Sequence, residues 1–290
     1  MLSQDEIAHL SRWVGRGEER SETLSAELVA RFRATFDMVE PVDGALPMLL
    51  HLCLAQPVAP TAALAADGHP ARGGFLPPVP LPRRMWAGGA FTFHAPMTVG
   101  ARIRRLSRIE AVTVKHGRSG ELCFVTVRHE IESDGQPTLT ERQDIVYRPA
   151  ETARLPPASP AAPPAADSAE AKASFGPALQ RRRIIPSEAL LFRYSALTFN
   201  AHRIHYDHPY ATGPEGYSGL VVHGPMQATL LCQYAADLAG APPARFSFRS
   251  TAPILGTEPF DLCADFGEGR AQLWTGRPGS AAARLAEAEW

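Results

Sequence analysis

The chain has few cysteines, almost no net charge and no motif that pairs cysteines for redox or zinc chemistry. Its four cysteines, Cys53, Cys123, Cys232 and Cys263, are widely spaced, and no Cys-x-x-Cys pair is present. This spacing argues against zinc-ribbon and thioredoxin-like proteins and predicts buried free thiols in a reducing compartment. The formal net charge of −1 over 290 residues provides no long-range field to attract nucleic acid or an anionic membrane.

Targeting and cofactor signals are also missing. No apolar run approaches the ~20 residues that a transmembrane helix needs, and the first residues, MLSQDEIAHL, lack the basic and apolar parts of a signal peptide. No Gly-x-Gly-x-x-Gly motif connects a strand to a helix. We therefore expect a soluble cytoplasmic protein with no cofactor, no metal, and no nucleic-acid or membrane partner.

A segment rich in alanine and proline divides the chain. Residues 151–176 carry few large apolar side chains and cannot build a core, so we interpret them as a linker. The blocks on either side, residues 1–150 and 177–290, are each of ordinary domain size.

Each block has the pattern of one helix and several strands. In the second block Pro225 suits the first turn of a buried helix and Gly240 suits its C-terminal cap, after which RFSFRS, PFDLCADF and AARLAEAEW alternate like strands. In the first block a charged helix near residues 21–36 precedes a short apolar helix candidate, GALPMLLHLCLA, and four alternating stretches follow. The prediction is an α+β fold with two antiparallel sheets, each wrapped around a central helix.

Polar residues gather just before the predicted second-block helix. Asn200 and His205 lie five apart in SALTFNAHRIHYD, and Gly224 follows in GLVVHGP at the start of the helix. An imidazole can move protons, a polar side chain can hold a water, and a backbone N–H at a helix start can stabilise charge on a carbonyl oxygen. Adding water to a conjugated thioester requires these three contributions.

This constellation resembles the MaoC-like, (R)-specific hydratase/dehydratase family of double hot-dog proteins. The Gly-Asp-x-Asn-Pro-Leu-His run of the family corresponds to residues 199–205, and its downstream His-Gly corresponds to His223 and Gly224. Within the family the chain is similar to the mesaconyl-CoA/itaconyl-CoA hydratases and to mitochondrial 3-hydroxyacyl-thioester dehydratases. First-block phrases such as FLPPVPLPRRMWAGG and ERQDIVYRP extend the resemblance over nearly the whole chain. It implies a double hot-dog fold and a homodimer.

The resemblance also implies the roles of the motif residues. His205 is the catalytic acid and base, with an ordinary pKa of about 6.5 near working pH, and Gly224 donates its N–H to the thioester oxygen. Asn200 stands where most members have Asp; because an amide cannot take a proton, we expect it to accept a hydrogen bond from the water instead. His202 is either structural, which we prefer, or a second proton carrier.

The first block lacks this motif, and His51 and His69 have no evident acid/base partner in the sequence. We expect the block to be catalytically empty and to widen the acyl pocket.

Substrate-binding candidates lie in both blocks. Tyr194 is a candidate for the pocket wall, and Arg83, Arg84 and Trp86 are candidates for binding coenzyme A. For the two arginines, an ordinary solvent-exposed position is an equally open interpretation. Arg203 is a candidate for the free carboxylate of a dicarboxylic acyl group.

The expected activity is reversible hydration and dehydration of a 2-enoyl/3-hydroxyacyl thioester. The resemblance favours a short branched dicarboxylic acyl-CoA such as mesaconyl-CoA or itaconyl-CoA. A 3-hydroxyacyl-ACP dehydratase of fatty acid synthesis, a non-catalytic acyl-thioester binding protein and a thioesterase stay open as alternatives. The sequence does not decide whether the acyl group is carried on CoA or on acyl carrier protein, nor the direction of the reaction.

Overall fold

The computed structural model describes residues 2–117, 120–149 and 180–290, so the segment interpreted as a linker lies outside the described residues. The α-helices are α1 (Gln4–Ser11), α2 (Ala26–Thr35), α3 (Glu188–Leu197), α4 (His208–Thr212) and α5 (Gly224–Ala239). The strands are β1 (Gly17–Thr23), β2 (Arg83–Phe93), β3 (Arg102–Gly117), β4 (Gly120–Ser133), β5 (Gln136–Arg148), β6 (Gln180–Ile184), β7 (Arg245–Ser250), β8 (Phe260–Gly267), β9 (Arg270–Gly276) and β10 (Arg284–Glu289). Short 3-10 turns lie at Leu50–Cys53, Thr61–Ala63 and Arg203–His205.

All ten strands form one antiparallel sheet, in the order β1-β3-β4-β5-β2-β7-β10-β9-β8-β6. Read from the first strand of each half, the order is the same: β1-β3-β4-β5-β2 in the N-terminal half and β6-β8-β9-β10-β7 in the C-terminal half. The α+β class is confirmed. The expectation of two separate sheets is corrected, because β2 and β7 hydrogen-bond from Gly88↔Arg249 to Thr92↔Arg245 and join the halves.

Glycines allow the two central strands to approach. A Cβ on Gly88 would lie 2.8 Å from the Phe248 carbonyl oxygen, and one on Gly89 would lie 2.8 Å from the Arg142 carbonyl oxygen. The register of β2 against β5 shifts between Trp86 and Gly88, so a bulge lies beside these glycines. Glycine is thus required at these two positions, because any side chain would collide with the neighbouring backbone.

The helix predicted in the C-terminal half is confirmed as α5. Pro225 lies in its first turn, and Gly240 ends it in the left-handed conformation with φ +70°. Nine of its sixteen residues are buried, so the helix is covered on most sides, as its nearly continuous apolar sequence requires. It packs against β7, β8, β9 and β10.

The corresponding helix of the N-terminal half does not form. Within GALPMLLHLCLA only the 3-10 turn Leu50–Cys53 is helical. Leu49 before it and Ala55 after it have φ of +57° and +51°, and left-handed residues on both sides cannot continue an α-helix.

The charged helix expected near residues 21–36 begins later than predicted. Residues 17–23 form β1, which pairs with β3, and α2 starts after Ser25, whose Oγ accepts the Leu28 N–H at 3.1 Å.

The four cysteines are buried free thiols, as their spacing predicted. Among the described residues, no helix combines the length and the apolar character needed to cross a bilayer.

Candidate active site

The three motif residues meet in one cavity. Asn200, His205 and Gly224 all line a cavity of about 510 Å³, whose walls come from both halves of the chain. This volume lies within the range of sites for small molecules.

His205 is held with one nitrogen free for chemistry. Its Nδ1 lies 2.7 Å from the Val221 carbonyl oxygen. Because a carbonyl can only accept, Nδ1 carries the proton and Nε2 presents a lone pair. Burial lowers the pKa of His205 to about 4, although the bond to Val221 opposes the shift. The expected ordinary pKa is therefore corrected: the imidazole is neutral at physiological pH and available as a base.

His205 is one member of a row of packed rings. The His223 ring stacks on it with centroids 3.6 Å apart and planes at 20°, and Tyr194 lies edge-on to His223 at 5.0 Å. His223 Nε2 is hydrogen-bonded to Ser195 Oγ at 2.8 Å. Burial, together with the neighbouring imidazoles, lowers the pKa of His223 as well. The stacked His223 ring restricts the plane of the His205 ring.

Asn200 is placed by a turn that follows α3. Phe199 before it has φ +49°, a costly conformation for a bulky residue, and the Asn200 N–H donates to the Ser195 carbonyl at 2.8 Å. The Asn200 Oδ1 accepts the His202 N–H at 3.0 Å. Among the described contacts the amide NH₂ keeps both of its donors, and Oδ1 keeps one of its two lone pairs.

Gly224 opens α5 with an unengaged backbone donor. Within the described part of the chain its N–H donates to no backbone carbonyl, and the start of a helix is positively polarised. A Cβ at this position would lie 2.6 Å from Arg284 Nη2. A side chain at position 224 would therefore displace the Arg284 guanidinium from the helix start.

A loop of the N-terminal half adds two residues that the sequence reasoning missed. His69 Nδ1 lies 3.0 Å from Asp67 Oδ2, and the His69 ring packs on His202 at 4.2 Å. The expectation that His69 has no acid/base partner is therefore wrong. Burial, with His69 next to it, lowers the pKa of His202. Nothing local could have paired His69 with His202, because they lie on different halves of the chain.

Among the described residues, one group of side chains could hold a metal ion, and it combines this loop with His202 of the motif. Asp67, His69 and His202 each offer one ligand atom, all within 4.8 Å of one another. The Asp67–His69 hydrogen bond accounts for two of the three without an ion. The expectation of no metal stays a prediction.

The proposed coenzyme A residues lie at the cavity. Arg83, Arg84 and Trp86 all line it. The Arg83 Nη2 donates to the Glu215 carbonyl at 2.6 Å and its Nε lies 3.5 Å from Glu215 Oε2. The Trp86 Nε1 is buried without a hydrogen-bond partner.

Arg203 is engaged elsewhere. Its Nη2 lies 2.7 Å from Asp207 Oδ2, its guanidinium packs on the Tyr210 ring at 4.1 Å, and it is not among the residues that line the cavity. The geometry does not favour it as the residue that meets a substrate carboxylate. Tyr194 is fully buried and lines an adjoining cavity of about 550 Å³ that shares Asn200 with the first.

Arg284 is the most informative residue that the sequence reasoning missed. It is 2% exposed and lines the cavity with Asn200, His205 and Gly224. A signal was present: in AARLAEAEW it shares the inward face of β10 with Ala286 and Ala288, so a charge stands where alternation predicts an apolar residue.

A second polar cluster lies in the N-terminal half. His51 Nε2 is 3.2 Å from Glu141 Oε2, with both side chains 3% exposed, so His51 also has the acid/base partner it was expected to lack. Burial favours the neutral form of Glu141, but the neighbouring His129, the hydrogen bond with His51 and the Arg105 guanidinium outweigh it and lower its pKa. Glu141, His129 and Arg105 line the adjoining cavity, whereas His51 does not.

Comparison with known proteins agrees with these observations. The family model of hydroxyacyl-thioester dehydratase type 2 matches residues 49–256. The chain is 42% identical to the mesaconyl-C(4)-CoA hydratase of Chloroflexus aurantiacus over 96% of each chain. It is 38% identical to the mitochondrial hydroxyacyl-thioester dehydratase type 2 of Schizosaccharomyces pombe over 27% of each.

Among solved structures, a MaoC-like dehydratase from Phytophthora capsici superposes with a TM-score of 0.69, 10% identity and 98% coverage of both chains. At that identity the likeness shows the fold alone. The family match extends over most of the chain, includes Asn200, His205 and Gly224, and confirms the resemblance noted from the sequence. The chain belongs to the hydroxyacyl-thioester dehydratase type 2 family.

Proposed function

We propose that this protein catalyses the reversible addition of water to the 2,3-double bond of a short acyl thioester, with mesaconyl-CoA esterified at C4 as the leading substrate. The observation that carries the proposal is the placement of His205 Nε2, free because Nδ1 is bonded to Val221, in one cavity with Asn200 and the Gly224 N–H. The mesaconyl-C(4)-CoA hydratase relative supports the acyl group.

In the hydration direction His205 acts first as a base. Its Nε2 takes a proton from water while the water oxygen attacks C3 of the enoyl group. The π electrons move to the thioester oxygen as an enolate, which the Gly224 N–H meets at the positive end of α5. Protonated His205 then returns a proton to C2, and the thioester carbonyl re-forms. The same steps in reverse remove water.

Asn200 holds the water by its amide group in this scheme. Its Oδ1 accepts the His202 N–H, which fixes the plane of the amide, and its NH₂ donates to the water oxygen and leaves the water protons for His205. This reverses the direction of the hydrogen bond expected from the sequence. His223, stacked on His205, is a positioning residue that keeps the base in plane.

In this proposal the N-terminal half lines the substrate pocket and takes no part in the chemistry. Its Trp86 and His69 line the cavity, and Arg105, His129 and Glu141 line the adjoining one. Such charged walls suit a short polar acyl group and disfavour the long alkyl chain of a fatty acyl substrate, because apolar groups gain little beside buried charge. We assign residues 1–150 to the acyl pocket and residues 177–290 to catalysis.

Coenzyme A is the proposed carrier. Arg83 and Arg84 lie on the cavity wall and offer cations for phosphate groups. A homodimer and a cytoplasmic location stay predictions from the sequence resemblance.

A panel of thioesters tests the activity. The purified protein is assayed for hydration of mesaconyl-CoA, itaconyl-CoA, crotonyl-CoA and a long-chain enoyl-CoA, with His205→Gln as the variant. We expect the highest kcat/KM with mesaconyl-CoA and its loss in the variant. Full activity of His205→Gln would overturn the mechanism.

The same panel separates the alternatives. A preference for the long-chain substrate, stronger still when it is carried on acyl carrier protein, would indicate a dehydratase of fatty acid synthesis. Tight binding of an acyl-CoA without turnover would indicate a binding protein. Release of free CoA would indicate a thioesterase, for which α5 offers only Asp237 as a carboxylate.

A further inference from the structure

Arg284 is a buried cation without a counter-ion. It begins β10, is 2% exposed and lines the cavity that holds Asn200, His205 and Gly224. No carboxylate of the described residues forms an ion pair with it. Its Nη2 donates to Ser250 Oγ at 2.8 Å, whereas Nε and Nη1 are buried with no hydrogen-bond partner.

This arrangement is costly for the empty protein. A buried charge that lacks a partner is normally strongly destabilising, and buried charged groups are normally paired. Burial lowers the pKa of Arg284 to about 9, which is the expected sign of a cation whose solvation has been removed and not replaced. An anionic ligand would supply the missing partner.

The N-terminal half contains the opposite case. Arg105 is also largely buried, but Glu141 lies near enough to favour its charged form, and both residues line the adjoining cavity. A largely buried arginine of this fold can therefore have a carboxylate nearby. For Arg284 no carboxylate plays this part, and Tyr194 is the neighbour that favours its charged form.

The position of Arg284 points to the reacting end of the substrate. The Nη2 atom lies 2.6 Å from the place where a Cβ on Gly224 would stand, so the guanidinium is adjacent to the N–H proposed to meet the thioester oxygen. It packs at 4.5 Å over the Phe248 ring, which Trp86 also contacts at 5.3 Å. Trp86 Nε1 is a second buried donor without a partner on this wall.

We propose that Arg284 binds a free carboxylate on the acyl group, close to the double bond, and so selects dicarboxylic acyl thioesters. This inference rests on the proposed function and assigns to Arg284 the role that the sequence suggested for Arg203. A guanidinium matches a carboxylate with two parallel N–H donors; here Nη1 makes no hydrogen bond and Nη2 makes one, to Ser250 Oγ. In mesaconyl-C4-CoA, when the acyl chain is numbered from the thioester carbon, the free carboxylate is on C3. This is the carbon that water attacks.

An uncharged acyl group in this position would leave the guanidinium unpaired. Charged hydrogen bonds that are lost in a buried site cost about 1.5–3 kcal/mol, which corresponds to roughly 10- to 150-fold in kcat/KM. Arg284 therefore discriminates against uncharged acyl groups as well as favouring carboxylated ones.

A matched pair of substrates tests the role. Mesaconyl-CoA esterified at C4 and 3-methylcrotonyl-CoA differ only in a carboxylate or a methyl group on C3. We expect the wild-type protein to prefer mesaconyl-CoA by at least about 10-fold in kcat/KM. In Arg284→Met the ratio of the two kcat/KM values should fall about 10- to 100-fold, and Arg284→Lys should retain part of it. Arg249→Met, on the exposed face of the neighbouring strand β7, is the control and should keep the wild-type ratio.

The outcomes separate this inference from the proposed function. If Arg284→Met lowers both activities equally, the residue acts on the shared thioester and the inference is wrong. A wild-type protein that hydrates both substrates equally well also overturns it while leaving the hydratase function intact, and this measurement needs no folded variant. A wild-type protein that hydrates no enoyl thioester removes the proposed function and this inference together.

Discussion

The two halves of the sheet have the same strand order, and they differ in the helical segment that the sequence pattern predicted for each. In the C-terminal half this segment is the sixteen-residue helix α5, while in the N-terminal half it forms only the 3-10 turn Leu50–Cys53. Two of their polar clusters also differ. The His51–Glu141 pair of the N-terminal half is satisfied within itself, whereas around the motif of the C-terminal half Tyr194, His223 and Arg284 each keep a buried polar atom without a partner. Unpartnered buried atoms also occur in the N-terminal half, at Trp86 and Arg105.

This contrast distinguishes a structural polar cluster from a reactive one. A buried pair that satisfies itself needs no ligand, and removing either member chiefly costs stability. Buried groups that lack partners are tolerated only where something else completes them. Under the proposed function, the C-terminal half carries the chemistry and the N-terminal half supports it.

The largest expected effect compares one buried histidine from each half. His205→Gln should lower kcat/KM for mesaconyl-CoA by about 10²- to 10⁴-fold, because it removes the acid and base. His51→Gln should change kcat/KM by less than about threefold and instead lower the free energy of unfolding. Steady-state kinetics and urea denaturation of both variants provide the measurement. Equal losses of activity would remove the proposed division between the halves.

The contact of the N-terminal loop with the motif provides the second comparison. A Cβ on Gly68 would lie 1.8 Å from the Ala201 carbonyl oxygen, so Gly68→Ala must push the loop away from residues 200–203. We expect kcat/KM to fall by at least about 10-fold, since small displacements at a catalytic site are costly. Gly73 has nearly the same φ, +90° against +88°, but its Cβ would meet only Pro78 Cβ at 3.7 Å.

Gly73→Ala therefore carries the same backbone strain without the collision. It should retain most of the activity in the same assay. If both variants lose activity to the same degree, backbone strain and not loop contact is responsible.

The third comparison uses pH. The pKa of His205 is about 4 in the folded protein and about 6.5 in an unfolded chain. Between these values the unfolded state binds the extra proton, so stability falls as pH drops below about 6.5. From pH 7 to pH 5 this histidine alone should cost roughly 2 kcal/mol of unfolding free energy.

Urea denaturation at both pH values measures this loss. His205→Gln should show a smaller decrease than the wild type because it lacks the titrating group. An identical pH dependence in the two proteins would contradict the burial-induced pKa shift.

The smallest expected effect concerns Tyr194. Its hydroxyl is buried without a hydrogen-bond partner, so Tyr194→Phe removes no bond and should change the unfolding free energy by less than about 1 kcal/mol. We expect KM for mesaconyl-CoA to stay within about twofold. A larger increase in KM would show that the hydroxyl contacts the acyl group and would place Tyr194 among the substrate-binding residues.

The sequence predicted the elements whose signals are local. The start and end of α5 follow from Pro225 and Gly240. Asn200, His205 and Gly224 line one cavity, as their motif predicted. The first-block helix was predicted wrongly, since apolar spacing does not report the left-handed backbone of Leu49. The single sheet was missed because the pairing of β2 with β7 joins strands about 150 residues apart.

The site was incomplete for the same reason. Asp67 and His69 reach the motif only through the docking of a distant loop, in which the Arg203 N–H donates to the Asp67 carbonyl at 2.9 Å. Of the missed residues, only Arg284 had a signal in the sequence, because it is a charged residue at a position where the strand alternation predicts a buried apolar one.

The pairing of β2 with β7 fixes two non-identical repeats in one polypeptide. A symmetric assembly of identical single repeats would present every reactive group twice and would bind two substrates. Among the described residues, His205, Gly224 and Arg284 line one shared cavity, so under the proposed function each polypeptide binds a single acyl thioester. A substitution in either repeat consequently acts once, and each repeat has been free to specialise without a matching change in the other.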